Sequence, residues 1–377
     1  MSASAPLSPE PVIRCRSAGR LRGFIRSRIL LAHWQPRALP AANSDAVADA
    51  ELAPLVGPDM LAPMSEALGH ADSEARRIGG CARDAYTILY LCAALAVLFA
   101  ACGVAATDNY TLLNVLVLAE LATLLLLLLT FRNAHRVNWH GRWLALRFHV
   151  EFLRCLPLLA AMRSDSLQAH RADEHDAHDV AAASLPPHLA ALSRHHGKAA
   201  DVHSAEHEVG LRALRANLYQ RLHARCRQQP AQYAALALAY ARTVAGQQLR
   251  YHCMRAQQEQ AIVHRVHTLS IGAFGLTIVA VVAHFWWHAA LLTIISTGVP
   301  AFAASLHGFM AQEESERLAA SSASMAIRLQ GWLDLAPPAP GELAATQSRL
   351  AELVDLMMAE AQDWHRLFGE KGMYHLG

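Results

Sequence analysis

Four long apolar runs, arranged as two close pairs, constrain this chain more than any other feature. The runs cover residues 85–107, 110–131, 269–287 and 289–310. The first run contains no charged side chain, and the second contains only Glu120. Because an α-helix rises about 1.5 Å per residue, each run reaches roughly 30 Å, the thickness of the hydrocarbon core of a bilayer. A surface helix of a soluble protein keeps a polar face, which these runs lack. They predict an all-α membrane protein with two transmembrane helical hairpins, that is, four spans, and long cytoplasmic helices.

The composition narrows the class of partner. Hydrophobic residues make up 54% of the chain and charged residues 17%, as in a chain that is partly embedded in a lipid bilayer. A net charge of +2 is too small to indicate a nucleic-acid partner. The seven cysteines form no C-x-x-C pair and are odd in number, which favours free structural thiols over a disulfide framework or a zinc knuckle.

The arginines predict the orientation of the spans. They flank the outer ends of each pair of runs at Arg76, Arg77, Arg83, Arg132, Arg136, Arg142, Arg147, Arg250, Arg255 and Arg265. The turns within the pairs offer only Asp108 in the first and Trp286, Trp287 and His288 in the second. By the positive-inside rule, both turns face away from the cytoplasm and both termini lie inside it. Because Lys198 and Lys371 are the only lysines, a bias typical of GC-rich genomes, we expect a bacterial inner membrane.

The remaining segments predict helices on the cytoplasmic side. The predicted units are an N-terminal segment 1–80, hairpin 81–131, a helical insert 132–267, hairpin 268–311 and C-terminal helices 312–377. Apolar residues recur at helical spacing after residue 137 up to Pro157, where we expect the helix to end. Further helices are predicted over 208–227, 232–267, 312–335 and 342–368. The last two are separated by a break from Pro337 to Gly341.

The N-terminal segment is basic and rich in Ala and Pro, which predicts that it is partly disordered. An alternative remains open for its first third. Ile13, Leu21, Phe24, Ile25 and Ile29 can share one face of an amphipathic helix that lies at a membrane interface.

Glu120 falls near the middle of the second run, where an ionised carboxylate costs several kcal/mol. Such a residue usually faces the interior of a helix bundle or water. It is therefore either a group that lines a membrane path or a protonated side chain that packs against a neighbouring helix. Small residues such as Ala304 and Gly308, four apart in the last run, predict close approach of two spans.

The histidines suggest two further activities. His170, His175 and His178 lie among Asp and Glu residues and are candidate ligands of a divalent metal, as in a metal-ion transporter, or simply parts of a solvated loop. The string His203-Ser-Ala-Glu206-His207 matches the H-x-x-E-H pattern of one protease class, but its catalytic context is missing. No phosphate loop or nucleophile elbow is present. We therefore expect a protein that is not an enzyme and needs no cofactor.

One stretch after the second run is more specific. The residues Trp143, Arg147, Glu151, Leu153 and Arg154 follow the spacing W-x-x-x-R-x-x-x-E-x-L-R, in which Arg147 and Glu151 are one helical turn apart. This stretch resembles the signature of SLATT proteins, the two-transmembrane effectors associated with SMODS and SLOG domains in bacterial conflict systems. Val150 stands where that signature has Ala. Gln248, Tyr251 and His252, together with Glu360 and Trp364, resemble the four-span relatives.

The resemblance implies a pore-forming or membrane-perturbing effector that acts as a homo-oligomer in the lipid bilayer. Residues 1–80 are too few for a SLOG domain and show no G-x-G-x-x-G pattern, so either a separate protein senses or the sensing role does not carry over. The alternative is a membrane-anchored scaffold or sensor, in which the hairpins only tether a cytoplasmic helical bundle.

Overall fold

The computed structural model describes residues 20–31, 34–37, 39, 45–106, 108–137, 139–162 and 205–369. Within these ranges the chain forms helices and no β-strand. In chain order they are α1 (Arg20–Ile25), which continues as a π-helical turn over Arg26–Leu30, α2 (Asp45–Val56), α3 (Pro58–Ala105), α4 (Tyr110–Val137), α5 (Trp139–Met162), α6 (Ala205–Gln228), α7 (Pro230–His284), α8 (Ala290–Glu313), α9 (Ser315–Asp334) and α10 (Leu343–Gly369).

Four of these helices are long and apolar enough to cross a membrane. Each of the four predicted runs lies largely within one of them: α3, α4, α7 or α8. Helices α3 and α7 extend far beyond the apolar runs, with 48 and 55 residues respectively. Both start with a proline directly after their N-cap, where the missing backbone N–H is no loss. The prediction of an all-helical chain with four membrane-spanning candidates is confirmed.

The four apolar helices are packed in the order α4, α3, α8, α7. Helix α3 contacts α4 on one side and α8 on another, and α8 in turn contacts α7. Within the described ranges, no comparable packing joins α4 to α7 or α8. At the contact of α3 with α8, a Cβ on Gly308 would clash with the ring of Tyr90, and the hydroxyl of Ser305 donates a 2.6 Å hydrogen bond to the carbonyl of Tyr90. The predicted close approach at Gly308 is therefore observed.

Outside the apolar runs, the helices share one large hydrophobic core. It contains side chains from α2, the first half of α3, α5, α6, the first half of α7, α9 and α10, and we call it the helical core. Among its fully enclosed members are Leu55, Leu158, Leu222, Leu329 and Leu353.

Two sequence-based expectations differ from this structure. Helix α5 does not end at Pro157 but continues to Met162, because the residues around the proline are buried in the helical core and the hydroxyl of Tyr233 caps the carbonyl of Ala161 at 2.8 Å. The predicted boundary at residue 80 lies inside α3, and residues 45–80 are helical on both sides of a break at Gly57. The composition of this stretch is rich in Ala and Pro, yet α2 buries its leucines in the helical core.

Candidate functional site

Trp143 fixes the start of the α5 signature against α3. The ring of Trp143 lies where a Cβ on Gly79 would come within 2.6 Å, so only glycine fits at that point of α3. The guanidinium of Arg83 lies 5.5 Å from the centre of the same ring, within range of a cation–π interaction. His140, one turn earlier on α5, places its ring centre 5.8 Å from that of Trp143. The signature tryptophan therefore joins α5 to the part of α3 just before its apolar run.

The charged residues of the signature form one chain along α5. Glu151 pairs with Arg147 at 2.7 Å through one carboxylate oxygen and with Arg154 at 2.5 Å through the other. All three side chains are only partly exposed, Glu151 at 17%. Burial alone would lower the pKa of Arg154, but the charge and hydrogen bond of Glu151 outweigh it and raise that pKa. Arg147, Glu151 and Arg154 therefore act as one electrostatic unit in which Glu151 is shared.

The other side of this helix is apolar and enclosed. Val150 is 0% exposed and Leu153 is 7% exposed, both within the helical core. Cys155 next to Arg154 is also buried, and burial together with the nearby Glu151 raises the pKa of its thiol. Tyr240 of α7 lies in the same region, and burial raises the pKa of its phenol. One side of this part of α5 therefore carries the partly exposed charges, and the other side is buried in the helical core. Val150, which stands where the SLATT signature has Ala, belongs to the buried side.

Two residues from separate stretches of the predicted set are adjacent in space. His252 of α7 is 1% exposed, and its Nε2 lies 3.1 Å from Oε2 of Glu360 in α10. His252 Nε2 does not have the geometry of a hydrogen bond to this carboxylate, so the two side chains form a close polar contact. Tyr251 meets the imidazole edge-on, with ring centres 5.0 Å apart. The backbone of Trp364 lies in α10, whereas its side chain is outside the described part of the structure.

Glu120 lies on the side of α4 that is less exposed. Together with Leu113, Leu116 and Thr123 it forms a half-buried stripe, whereas most other side chains of the apolar run are exposed. Since α3 is the helix against which α4 packs, this stripe faces α3. In the described ranges the Glu120 carboxylate has no ion pair or hydrogen bond with another side chain. Glu120 therefore lies at the contact of α4 with α3.

One ion pair was not predicted from the sequence. Glu259 of α7 is 1% exposed, and its Oε1 lies 3.0 Å from the guanidinium of Arg26. The guanidinium of Arg255 lies 3.8 Å from the same oxygen. Burial lowers the pKa of Arg26, against the opposing effect of Glu259. The other oxygen of Glu259 is buried without a hydrogen bond. A single glutamate ten residues before an apolar run was the available signal, since glutamates are sparse along α7.

The described residues contain no group of three or more His, Cys, Asp and Glu side chains that could hold a metal ion. The predicted metal ligands His170, His175 and His178 lie outside the described residues. The chain matches no protein-family model, no curated protein and no solved structure.

Proposed function

We propose that this protein is a non-enzymatic membrane effector in which a cytoplasmic helical domain controls spans that form an ion path when several copies assemble. The observation that supports it best is the continuity of α3 and α7. Each runs without a break from the helical core into a membrane-spanning segment. Because an unbroken helix transmits a tilt or rotation along its length, a rearrangement of the helical core moves the spans.

The site couples several helices at the point where this transmission begins. Trp143 ties α5 to α3, and the contact of His252 with Glu360 ties α7 to α10. Both continuous helices are thus held by residues of the proposed SLATT-like signature. In this proposal, a separate sensor protein acts on the helical core and shifts these contacts.

The order of the spans favours assembly of several copies. In the described part of the chain, the four apolar helices are packed in a row with α4 and α7 at the ends, and such a row encloses no path of its own. The outer surface of α4 is apolar and exposed along its length. A homo-oligomer that buries this outer surface leaves Glu120 on the opposite side of α4, at its contact with α3, and in this proposal the ion path runs along that contact, where a carboxylate can meet water or ions.

The orientation that we propose follows the arginines, with α3–α4 and α7–α8 as hairpins whose turns face the periplasm. Reporter fusions at Asp108 and Trp287 test it, with a fusion after Gly377 as the cytoplasmic reference. A cytoplasmic signal at Asp108 contradicts the four-span topology.

Planar-bilayer recordings of the purified protein test the function. We expect discrete conductance steps, and we expect them to disappear in His264→Pro, which interrupts α7 between the helical core and the span. His264 is exposed, and His264→Ala is the matched control that keeps the helix and the currents. Currents unchanged by the proline would contradict transmission through α7.

The competing function is a membrane anchor for the helical core. It is favoured by the same open row of spans, because a tether needs no enclosed path. Absence of current from the wild-type protein, with and without cytoplasmic extract as a source of the sensor, would support the anchor.

A further inference from the structure

Residues 20–31 and Arg37 contact two of the four helices that could span a membrane, α3 and α7, shortly before their apolar runs. The backbone N–H of Arg22 donates to Oδ1 of Asp84 at 3.0 Å, directly before the apolar run of α3. Arg26 pairs with Glu259 of α7, and the N–H of Arg37 donates to Gln257 at 2.9 Å. We call residues 20–31 the strap.

Apolar contacts place the strap at the boundary of the membrane. Leu30 is 3% exposed and packs with Val266 and Ile262, just before the apolar run of α7. The same cluster contains Phe309, at the end of the apolar run of α8. The strap therefore lies where the apolar runs of α3 and α7 begin and that of α8 ends, which in the proposed topology is the depth of the lipid headgroups.

The face of the strap that points away from these helices is apolar and basic. Phe24 is 59% exposed, Ile29 46% and Leu21 36%. Arg20 and Arg28 are exposed next to them. A face of this composition at headgroup depth resembles an interfacial helix, whose apolar side chains enter the acyl boundary while its arginines meet phosphates.

We propose that the outer face of the strap binds anionic phospholipid of the surrounding membrane. Leu21, Phe24 and Ile29 enter the boundary between headgroups and acyl chains, and Arg20 and Arg28 contact the headgroup phosphates. Leu30 anchors the strap against Val266 and Phe309, beside apolar runs whose side chains are themselves exposed, and this neighbourhood assigns the face to lipid rather than to a soluble partner. Lipid bound there holds α3, α7 and α8 together through the strap. The inference requires the four spans to lie in a membrane, but it does not require them to conduct.

Photo-crosslinking of the full-length protein tests the proposal. p-Benzoylphenylalanine replaces Phe24, and the protein is irradiated in nanodiscs of phosphatidylcholine alone or mixed with phosphatidylglycerol. We expect phospholipid adducts by mass spectrometry, with phosphatidylglycerol enriched about threefold or more over its share of the lipid. The control carries the same probe at Ile327, an exposed residue of α9 remote from the apolar runs, and should give no lipid adduct.

The basic half of the face is tested by Arg20→Gln with Arg28→Gln in the same background. Each arginine near an anionic surface strengthens binding to anionic lipid by a factor of about five. Without both arginines, the fraction of adducts that contain phosphatidylglycerol should fall close to the fraction of phosphatidylglycerol in the disc. Elution of the variant as a single peak shows that it remains folded. Adducts to protein instead of lipid, an absence of adducts, or an enrichment that survives the loss of both arginines would overturn the proposal.

Discussion

The imidazole of His252 lies 3.1 Å from the carboxylate of Glu360, which links α7, one of the four helices that could span a membrane, to α10. His252 is almost fully enclosed and Glu360 is partly exposed. The contact therefore joins α10 to α7 at a level between the centre of the helical core and the apolar run of α7. Because α10 also packs against α5, a displacement of α10 at this pair also affects the packing of α5.

Glu360→Ala should destabilise the helical core because it leaves an enclosed imidazole without its charged neighbour. We expect a loss of roughly 0.5–1 kcal/mol, seen as a lower midpoint of thermal unfolding of the purified protein. The exposed Asp355 on the same helix supplies the control, and Asp355→Ala should change the midpoint little. In a double-mutant cycle with His252→Ala, additive effects would show that the two side chains are not coupled.

Loss of Glu151 should cost more than loss of either arginine beside it. Glu151→Ala removes two ion pairs and leaves two half-enclosed guanidinium groups unpaired, whereas Arg147→Ala removes one pair. We expect roughly 1–2 kcal/mol for Glu151→Ala and less than about 1 kcal/mol for Arg147→Ala in denaturant unfolding. Arg328→Ala, at an exposed position of α9, is the control. Equal and negligible effects at all three positions would reduce the signature to a solvated row of charges.

Two glycines of α3 should respond oppositely to alanine. A Cβ at Gly79 meets the ring of Trp143, so Gly79→Ala must displace the tryptophan and destabilise the protein by roughly 1–3 kcal/mol. Gly69 is exposed with no atom within 4 Å of an added Cβ, so Gly69→Ala should stabilise the helix by roughly 0.5–1 kcal/mol. Thermal unfolding of the pair separates close approach from helix propensity. The same direction of change in both variants would contradict the contact with Trp143.

The Cys155 thiol should be inert in the folded protein. Burial and the nearby Glu151 raise its pKa, so the reactive thiolate is scarce, and the surrounding core excludes reagent. Peptide mass spectrometry after N-ethylmaleimide treatment should find Cys155 unmodified until denaturant is added. Cys253 is only partly buried and serves as the comparison within the same chain. Modification of Cys155 as fast as that of Cys253 would show that α5 opens readily.

The features that could be predicted from the sequence are those with strong periodicity or unusual length. The four apolar runs fall within four long helices, and the break before α10 is found between Asp334 and Leu343. The helix through Pro157 could not be predicted, because its continuation depends on packing from helices distant in sequence. The contact of His252 with Glu360 could not be predicted either, since the resemblance singles out both residues but does not indicate that they touch. The same holds for the ion pair between α7 and the strap, whose two members are far apart in the sequence.

The role of Glu120 can be separated into its two predicted alternatives by two substitutions. Glu120→Gln keeps the size and hydrogen-bonding capacity but cannot ionise. If the carboxylate lines an ion path, Gln should change conductance or ion selectivity in planar bilayers while insertion into the membrane stays intact. If Glu120 is a protonated packing residue, Gln should be nearly silent, whereas Glu120→Leu should loosen the contact of α4 with α3 and lower thermal stability. Asn114→Ala, at an exposed position of the same helix, controls for general effects on α4. The proposed ion path predicts the effect of Gln on conductance, and unchanged currents with Gln would remove Glu120 from that path.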